Sequence, residues 1–181
     1  MATGINGFEG VPIISYSIAF GVLLVACLLL IILGFDVLDS PIVVMVTTII
    51  PLSLSIGLVW QFLAEIQTLY LTFAVIGFMA IIFTRLKPAT NKVPTILVAV
   101  VHGIAGMIIF LLPSILAAKG MTRPVFALVG LGGAMIGIGG LLLSFLKTGK
   151  PILSREIILR ILPGLLFLMT LSFVIGFAAV S

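Results

Sequence analysis

The chain has 181 residues, of which 62% are hydrophobic and only 8% are charged, and its formal net charge is +4. The nine basic and five acidic residues fall in short breaks between long apolar runs, which leaves no room for a soluble domain. The basic balance therefore indicates membrane orientation and contact with anionic lipid, and it does not point to a nucleic-acid partner.

Six apolar runs are long enough to cross a membrane. A helix needs about 20 apolar residues to span roughly 30 Å of hydrocarbon. The six predicted spans cover about 12–33, 42–60, 66–83, 94–118, 124–146 and 161–180. The tail before the first span has no Lys or Arg, so it lacks the positive region of a cleaved signal peptide, and we expect that span to be retained. The sequence predicts an all-α polytopic membrane protein, a six-helix bundle forming one transmembrane domain over 1–181.

The second span carries Pro51 near its middle, where it removes a backbone hydrogen bond and frees the carbonyl of Thr47. Thr48 and Ser55 share its helix face. Broken helices near the bilayer centre form binding sites in many transporters. Ser and Thr also re-satisfy kinked helices without any ligand. The structural interpretation is favoured, and these three residues remain a candidate buried polar site.

His102, the only histidine, belongs to the same candidate set and lies about 12 Å along the fourth span. An ionisable residue at that depth is a candidate functional residue. The favoured interpretation is a neutral imidazole hydrogen-bonded to a neighbouring helix. A bis-histidine haem within the chain is excluded because there is no second histidine, which leaves a His–Met haem as a minor alternative.

The fifth span has a regular stripe of small residues at alternating spacings of three and four. The predicted helix-packing residues are Gly130, Gly133, Gly137 and Gly140. Small residues let two helix backbones approach closely, which matters because lipid gives no hydrophobic drive for helices to associate. Packing inside this chain is the favoured interpretation. Contact with another subunit comes second, and a substrate lying along the glycines comes last.

The longest break follows the fifth span and is rich in basic residues. Its candidates for contact with lipid or a partner are Lys147, Lys150, Arg155 and Arg160. Ser154 is a predicted helix N-cap, and Glu156 follows it in the first turn. Orientation and anionic-lipid contact are the favoured role, and docking of a cytoplasmic partner is the alternative.

The orientation follows from the distribution of Lys and Arg. Seven of the nine lie in the breaks after spans one, three and five, and only Lys119 and Arg123 lie on the other side. Basic residues stay on the cytoplasmic side. Three aromatic residues (Tyr16, Trp60 and Tyr70) fall at the predicted outer ends, where such rings prefer the headgroup region. We expect both termini on the outer side of a membrane, with a prokaryotic plasma membrane as the leading location.

No pattern indicates catalysis, a metal site or a cofactor. One histidine and one cysteine, Cys27, cannot supply the usual ligand or catalytic sets. The sequence therefore favours a non-catalytic integral-membrane subunit of a multi-subunit membrane complex, with an energy-converting or oxidoreductase assembly, such as one for electron transport, as the leading class. Its expected partners are membrane lipid and other membrane protein subunits, with no nucleic acid. The alternative is a small six-helix transporter or channel for a small solute or ion, with Pro51 and His102 lining the path.

Overall fold

The computed structural model describes residues 10–34, 37, 40–86, 93–147 and 152–179. Six α-helices account for most of this part of the chain. They are α1 (Val11–Leu33), α2 (Pro41–Phe62), α3 (Gln67–Leu86), α4 (Val93–Ala118), α5 (Ala127–Lys147) and α6 (Arg155–Ala178). Within these described ranges there is no strand. All six helices are long and apolar enough to cross a membrane, so the predicted all-α class with six spanning helices is confirmed.

Two short 3₁₀ turns lead into helices. One covers Ala64–Ile66 between α2 and α3, and the other covers Pro124–Phe126 just before α5. Glu65 lies in the first of these turns and is exposed. The tight turn explains how two spanning helices follow each other with so few residues between them.

The start of α6 differs from the predicted span, because the helix begins at Arg155 and not at 161. Its capping explains the difference. The Ser154 hydroxyl accepts a hydrogen bond from the backbone N–H of Ile157 at 3.3 Å, as expected for an N-cap. One turn on, Arg160 and Glu156 form an i,i+4 ion pair at 3.1 Å. These polar contacts stabilise helix that lies outside the apolar run, so hydropathy alone misses it.

The chain divides into two compact units, which are Met1–Ile108 and Ile109–Ser181. The boundary lies inside α4. In the first unit α2 packs against α1 and against α3, and it is the most buried of the spanning helices. Its core cluster comes from α2, α3 and α4 and contains Leu52, Ala74, Ile81, Val101 and Ala105. Gly57 lies against the ring of Tyr16, and a Cβ on Gly77 would be 2.9 Å from Val101 Cγ2. Each of these glycines permits a close contact between helices.

In the second unit α5 packs against α6. The two helices approach closely at Gly176, where a Cβ would lie only 2.8 Å from the backbone nitrogen of Val129. The rings of Phe126 and Phe177 meet edge to face with centroids 6.1 Å apart. Phe173 is fully buried beside them. Glycine and aromatic side chains together form the seam between these two helices.

Candidate functional site

A group of buried hydroxyls lies around the proline of α2 and reaches α3. The Ser55 hydroxyl is fully buried and donates to the carbonyl of Pro51 at 2.6 Å. The Tyr70 hydroxyl donates in turn to Ser55 Oγ at 2.7 Å, so the two helices are joined by a buried hydrogen bond. Thr48 is also fully buried and donates to the carbonyl of Val44 at 2.7 Å. The structure thus brings Ser55 and Pro51 together and adds Tyr70 to them.

These buried donors are used within the chain. Each hydroxyl named above has a carbonyl or hydroxyl acceptor at normal distance, and Thr47 likewise donates to Val43 at 2.7 Å. Back-bonding of Ser and Thr to a carbonyl four residues earlier is a common way to satisfy a hydroxyl in a spanning helix. The arrangement therefore fits stabilisation of a proline-containing helix without requiring a bound solute.

A second set of polar contacts lies at the end of α2 nearest α3. The Tyr16 hydroxyl donates to Gln61 Oε1 at 3.2 Å, and Gln67 Nε2 donates to the carbonyl of Trp60 at 2.8 Å. Sequence reasoning missed these pairs, because Tyr16 and Gln61 are 45 positions apart and no local pattern joins them. Tyr16 and Tyr70 are each only 6% exposed, so both rings pack inside the protein.

His102 stands apart from the Pro51 group. Its Nδ1 lies 3.1 Å from the carbonyl of Val98 on its own helix, and its side chain is partly buried. Because a carbonyl only accepts, Nδ1 carries the proton in this contact, and the neutral ring leaves Nε2 as an acceptor. Among the described residues no group donates to Nε2, and no hydrogen bond links the ring to Pro51, Thr48 or Ser55.

The predicted glycine stripe of α5 divides into two parts. A Cβ on Gly130 would meet Ser114 Oγ and lie 2.7 Å from the carbonyl oxygen of Phe110, and one on Gly133 would lie 2.8 Å from Ile109 Cγ2. These two glycines therefore contact the end of α4. Gly137 and Gly140 are exposed, with no described atom within 4 Å of an added Cβ. For them, helix packing remains a prediction.

A neighbouring stripe on α5 contacts α6. A Cβ on Gly132 would lie 2.8 Å from the ring of Phe173, and one on Gly139 would lie 3.2 Å from Leu165 Cδ2. Gly176 returns the contact from α6, and sequence reasoning missed it. The signal was present as the small pair Ser172 and Gly176, one turn apart and both buried.

The basic residues at the start of α6 are exposed. Arg160 pairs with Glu156, but both side chains are about four-fifths exposed, at 77% and 82%, so the pair contributes little to stability. Arg155 is exposed as well. Lys150 and the side chain of Lys147 lie outside the described residues. Contact of this group with lipid or a partner stays a prediction.

No protein-family model, curated protein or solved structure matches this chain. Across the described ranges, no three or more His, Cys, Asp or Glu residues are grouped so that they could hold a metal ion. The buried or partly buried side chains whose hydrogen bonds are described above carry hydroxyls, amides and one imidazole.

Proposed function

We propose that this chain is a non-catalytic integral-membrane subunit of a multi-subunit membrane complex, and that an energy-converting or oxidoreductase assembly is the class to test first. The observation that carries the proposal is a set of exposed glycines within spanning helices. Gly103 of α4 and Gly137 and Gly140 of α5 are exposed, and no described atom lies within 4 Å of a Cβ added to any of them.

Exposed glycines on a spanning helix are suited to close contact with another helix. Helices in lipid associate through close packing and interhelical hydrogen bonds, and small residues are enriched where two backbones meet. Gly130, Gly133 and Gly176 already serve contacts inside the chain. The exposed glycines offer the same kind of surface to helices of other subunits.

The buried polar groups support the same proposal. Ser55, Tyr70 and Thr48 donate to acceptors in this chain, so these hydroxyl donors are already used without a solute. A subunit whose interior is used for packing contributes to a complex through its outer faces. Membrane lipid and other membrane subunits are accordingly its proposed partners, and nucleic acid is not.

The proposed location is a prokaryotic plasma membrane with both termini on the outer side. The support is the distribution of basic residues, seven of nine of which lie in alternate breaks. Anionic lipid attracts such residues on the cytoplasmic side. Arg155 and Arg160 are exposed at the start of α6, on the side that this proposal makes cytoplasmic.

The direct test is purification of the tagged full chain from its own membranes in mild detergent. We expect co-migration with other polypeptides in fixed stoichiometry through size exclusion and native electrophoresis. Redox spectroscopy and quinone-reductase assays on that material then test the energy-converting class. A chain that migrates only as a monomer or as copies of itself contradicts the proposal.

A small transporter or channel for a solute or ion is the second candidate, and one observation favours it. Pro51 interrupts the hydrogen-bonding ladder of α2, the most buried helix, beside buried hydroxyls at Thr48 and Ser55. Solute uptake by the purified chain in liposomes, lost in Ser55→Ala and kept in the exposed control Thr72→Ala, would favour this candidate over the subunit proposal.

A further inference from the structure

The imidazole of His102 has an unused acceptor in the apolar part of α4. The residue lies nine positions after the first residue of this helix, or about 14 Å along its axis. Its Nδ1–H is used by the Val98 carbonyl, and no donor to Nε2 occurs among the described residues. Lipid acyl chains carry no donor, so in contact with lipid alone this acceptor would be left unpaired.

Small residues beside the His102 ring leave room for another helix to pack closely on α4. Ala99 and Gly106 lie one turn before and after His102 on the same face, and Gly103 is its neighbour. Ala99 and Gly103 are exposed, and a Cβ on Gly103 or Gly106 would meet no described atom within 4 Å. The opposite edge of α4 is already used, because Val101 and Ala105 are buried in the core cluster. His102 lies between this buried edge and the small-residue face.

We propose that His102 Nε2 accepts a hydrogen bond from a side-chain donor on a transmembrane helix of a different subunit, packed on the face formed by Ala99, Gly103 and Gly106. The donor is a hydroxyl, amide or indole N–H, such as Ser, Thr, Asn, Gln or Trp, at the depth of His102. This inference rests on the proposed function, because it needs a second kind of subunit.

A second copy of this chain is a poorer occupant. From Val98 to Gly106 the only polar side chain is His102 itself. Two copies related by a twofold axis would place the same face against itself, so two Nε2 acceptors would meet with no donor between them. At the depth of His102 this face of α4 supplies no donor, because its nearest hydroxyl, Thr95, lies seven positions earlier, or about 10 Å along the helix axis.

The first measurement uses a photocrosslinking amino acid, p-benzoylphenylalanine, at Met107 of the full chain in its own membranes, because Met107 is a large, 54% exposed side chain at the rim of the small-residue face, where a bulky probe leaves Gly103 free for the partner helix. The same substitution at Ile76 of α3, which is 63% exposed, is the matched control. We expect crosslinking at Met107 to one transmembrane peptide of another polypeptide, with Ser, Thr, Asn, Gln or Trp within about two turns of the crosslinked residue. The control should crosslink mainly to lipid.

The second measurement separates the hydrogen bond from simple packing. His102→Phe keeps a ring and removes the acceptor, whereas His102→Gln keeps an acceptor oxygen of similar reach. Interhelical hydrogen bonds of about 0.6–2 kcal/mol correspond to a loss of about 3- to 30-fold in complex recovered at fixed dilution for the Phe variant. Gln should recover most of it, and Ile76→Phe should have no effect.

The outcomes distinguish this inference from the proposed function. A stable hetero-complex that keeps wild-type recovery in His102→Phe overturns the hydrogen bond and leaves the subunit proposal standing. Crosslinks from Met107 only to lipid or to a second copy overturn the partner helix. Loss of a haem absorption band in both His102 variants would assign Nε2 to a metal and overturn the donor helix. A chain with no partner polypeptide at all fails both proposals together.

Discussion

The seam between α5 and α6 allows a sharp test of how these helices pack. A Cβ on Gly176 would lie 2.8 Å from the backbone nitrogen of Val129 and 2.7 Å from its Cγ2. Backbone atoms within a helix cannot move aside independently, so Gly176→Ala should force α5 and α6 apart. Overpacking of this kind costs about 1–3 kcal/mol.

Gly137→Ala is the matched control. Gly137 is also inside a helix, but it is exposed and an added Cβ meets no described atom within 4 Å. Replacing a helical glycine by alanine gains about 0.8–1.0 kcal/mol in helix propensity. Both variants share that gain, so it cancels when they are compared. We expect Gly176→Ala to be less stable than Gly137→Ala by about 1–3 kcal/mol.

The assay is unfolding of the two purified variants by SDS titration from mild-detergent micelles, followed by far-UV circular dichroism. Far-UV circular dichroism reports helix in the whole chain, α5 and α6 included, whereas the only tryptophan, Trp60, lies on α2 and reports the surroundings of that helix. Unfolding midpoints that coincide for the two variants would refute the close approach of Gly176 to the α5 backbone.

The remaining predictions concern the polar group, the glycine stripe and the topology. Ser55→Ala should destabilise the protein more than Tyr70→Phe in the same SDS titration. Alanine leaves the buried Tyr70 hydroxyl without its acceptor, whereas phenylalanine leaves Ser55 bonded to the Pro51 carbonyl. The reverse order of stability would contradict the hydrogen-bond assignment. Gly133→Leu should lower the yield of folded protein because it meets α4, and Gly137→Leu should fold normally but recover less of its partner subunits on size exclusion. Equal behaviour of these two leucine variants would count against dividing the stripe into internal and external parts. For the topology test, single cysteines are introduced at positions 85 and 181 in a Cys27→Ser background. They should react with an impermeant maleimide from opposite sides of the membrane. Labelling of both from the same side would exclude the proposed orientation.

The number and class of the helices could be predicted from sequence because they depend on run length alone. A helix satisfies its own backbone hydrogen bonds where no water is present, and a continuous run of about 20 apolar residues has the length that a spanning helix needs. Run length does not predict the start of α6. The Ser154 cap and the Glu156–Arg160 pair stabilise helical residues that precede its apolar run. The Ser154 cap was predictable from its residue type, but how far the helix extends was not predictable from hydropathy.

The aromatic residues show a limit of the same reasoning. The sequence predicts Tyr16 and Tyr70 at the membrane surface because each lies near a span end. In the structure both rings are buried, and their hydroxyls bond to Gln61 and Ser55 on another helix. Position along a helix can be counted from the sequence, but the direction of a ring around the helix depends on which neighbour packs there. Their burial leaves the basic residues as the main support for the proposed orientation.

For the glycines of α5 as well, the sequence gives the shared helix face but not the neighbour that covers it. A spacing of three and four places residues on one face, but it is the same spacing whatever lies opposite that face. In the structure Gly133 meets α4, Gly132 meets α6, and Gly137 meets nothing among the described residues. Gly132 and Gly133 therefore serve packing within the chain. Gly137 is the same type of residue on the same helix, but no described residue covers it. Such uncovered small residues on spanning helices are where contacts with other subunits are to be sought, and for that reason the exposed glycines carry the functional proposal while the covered ones do not.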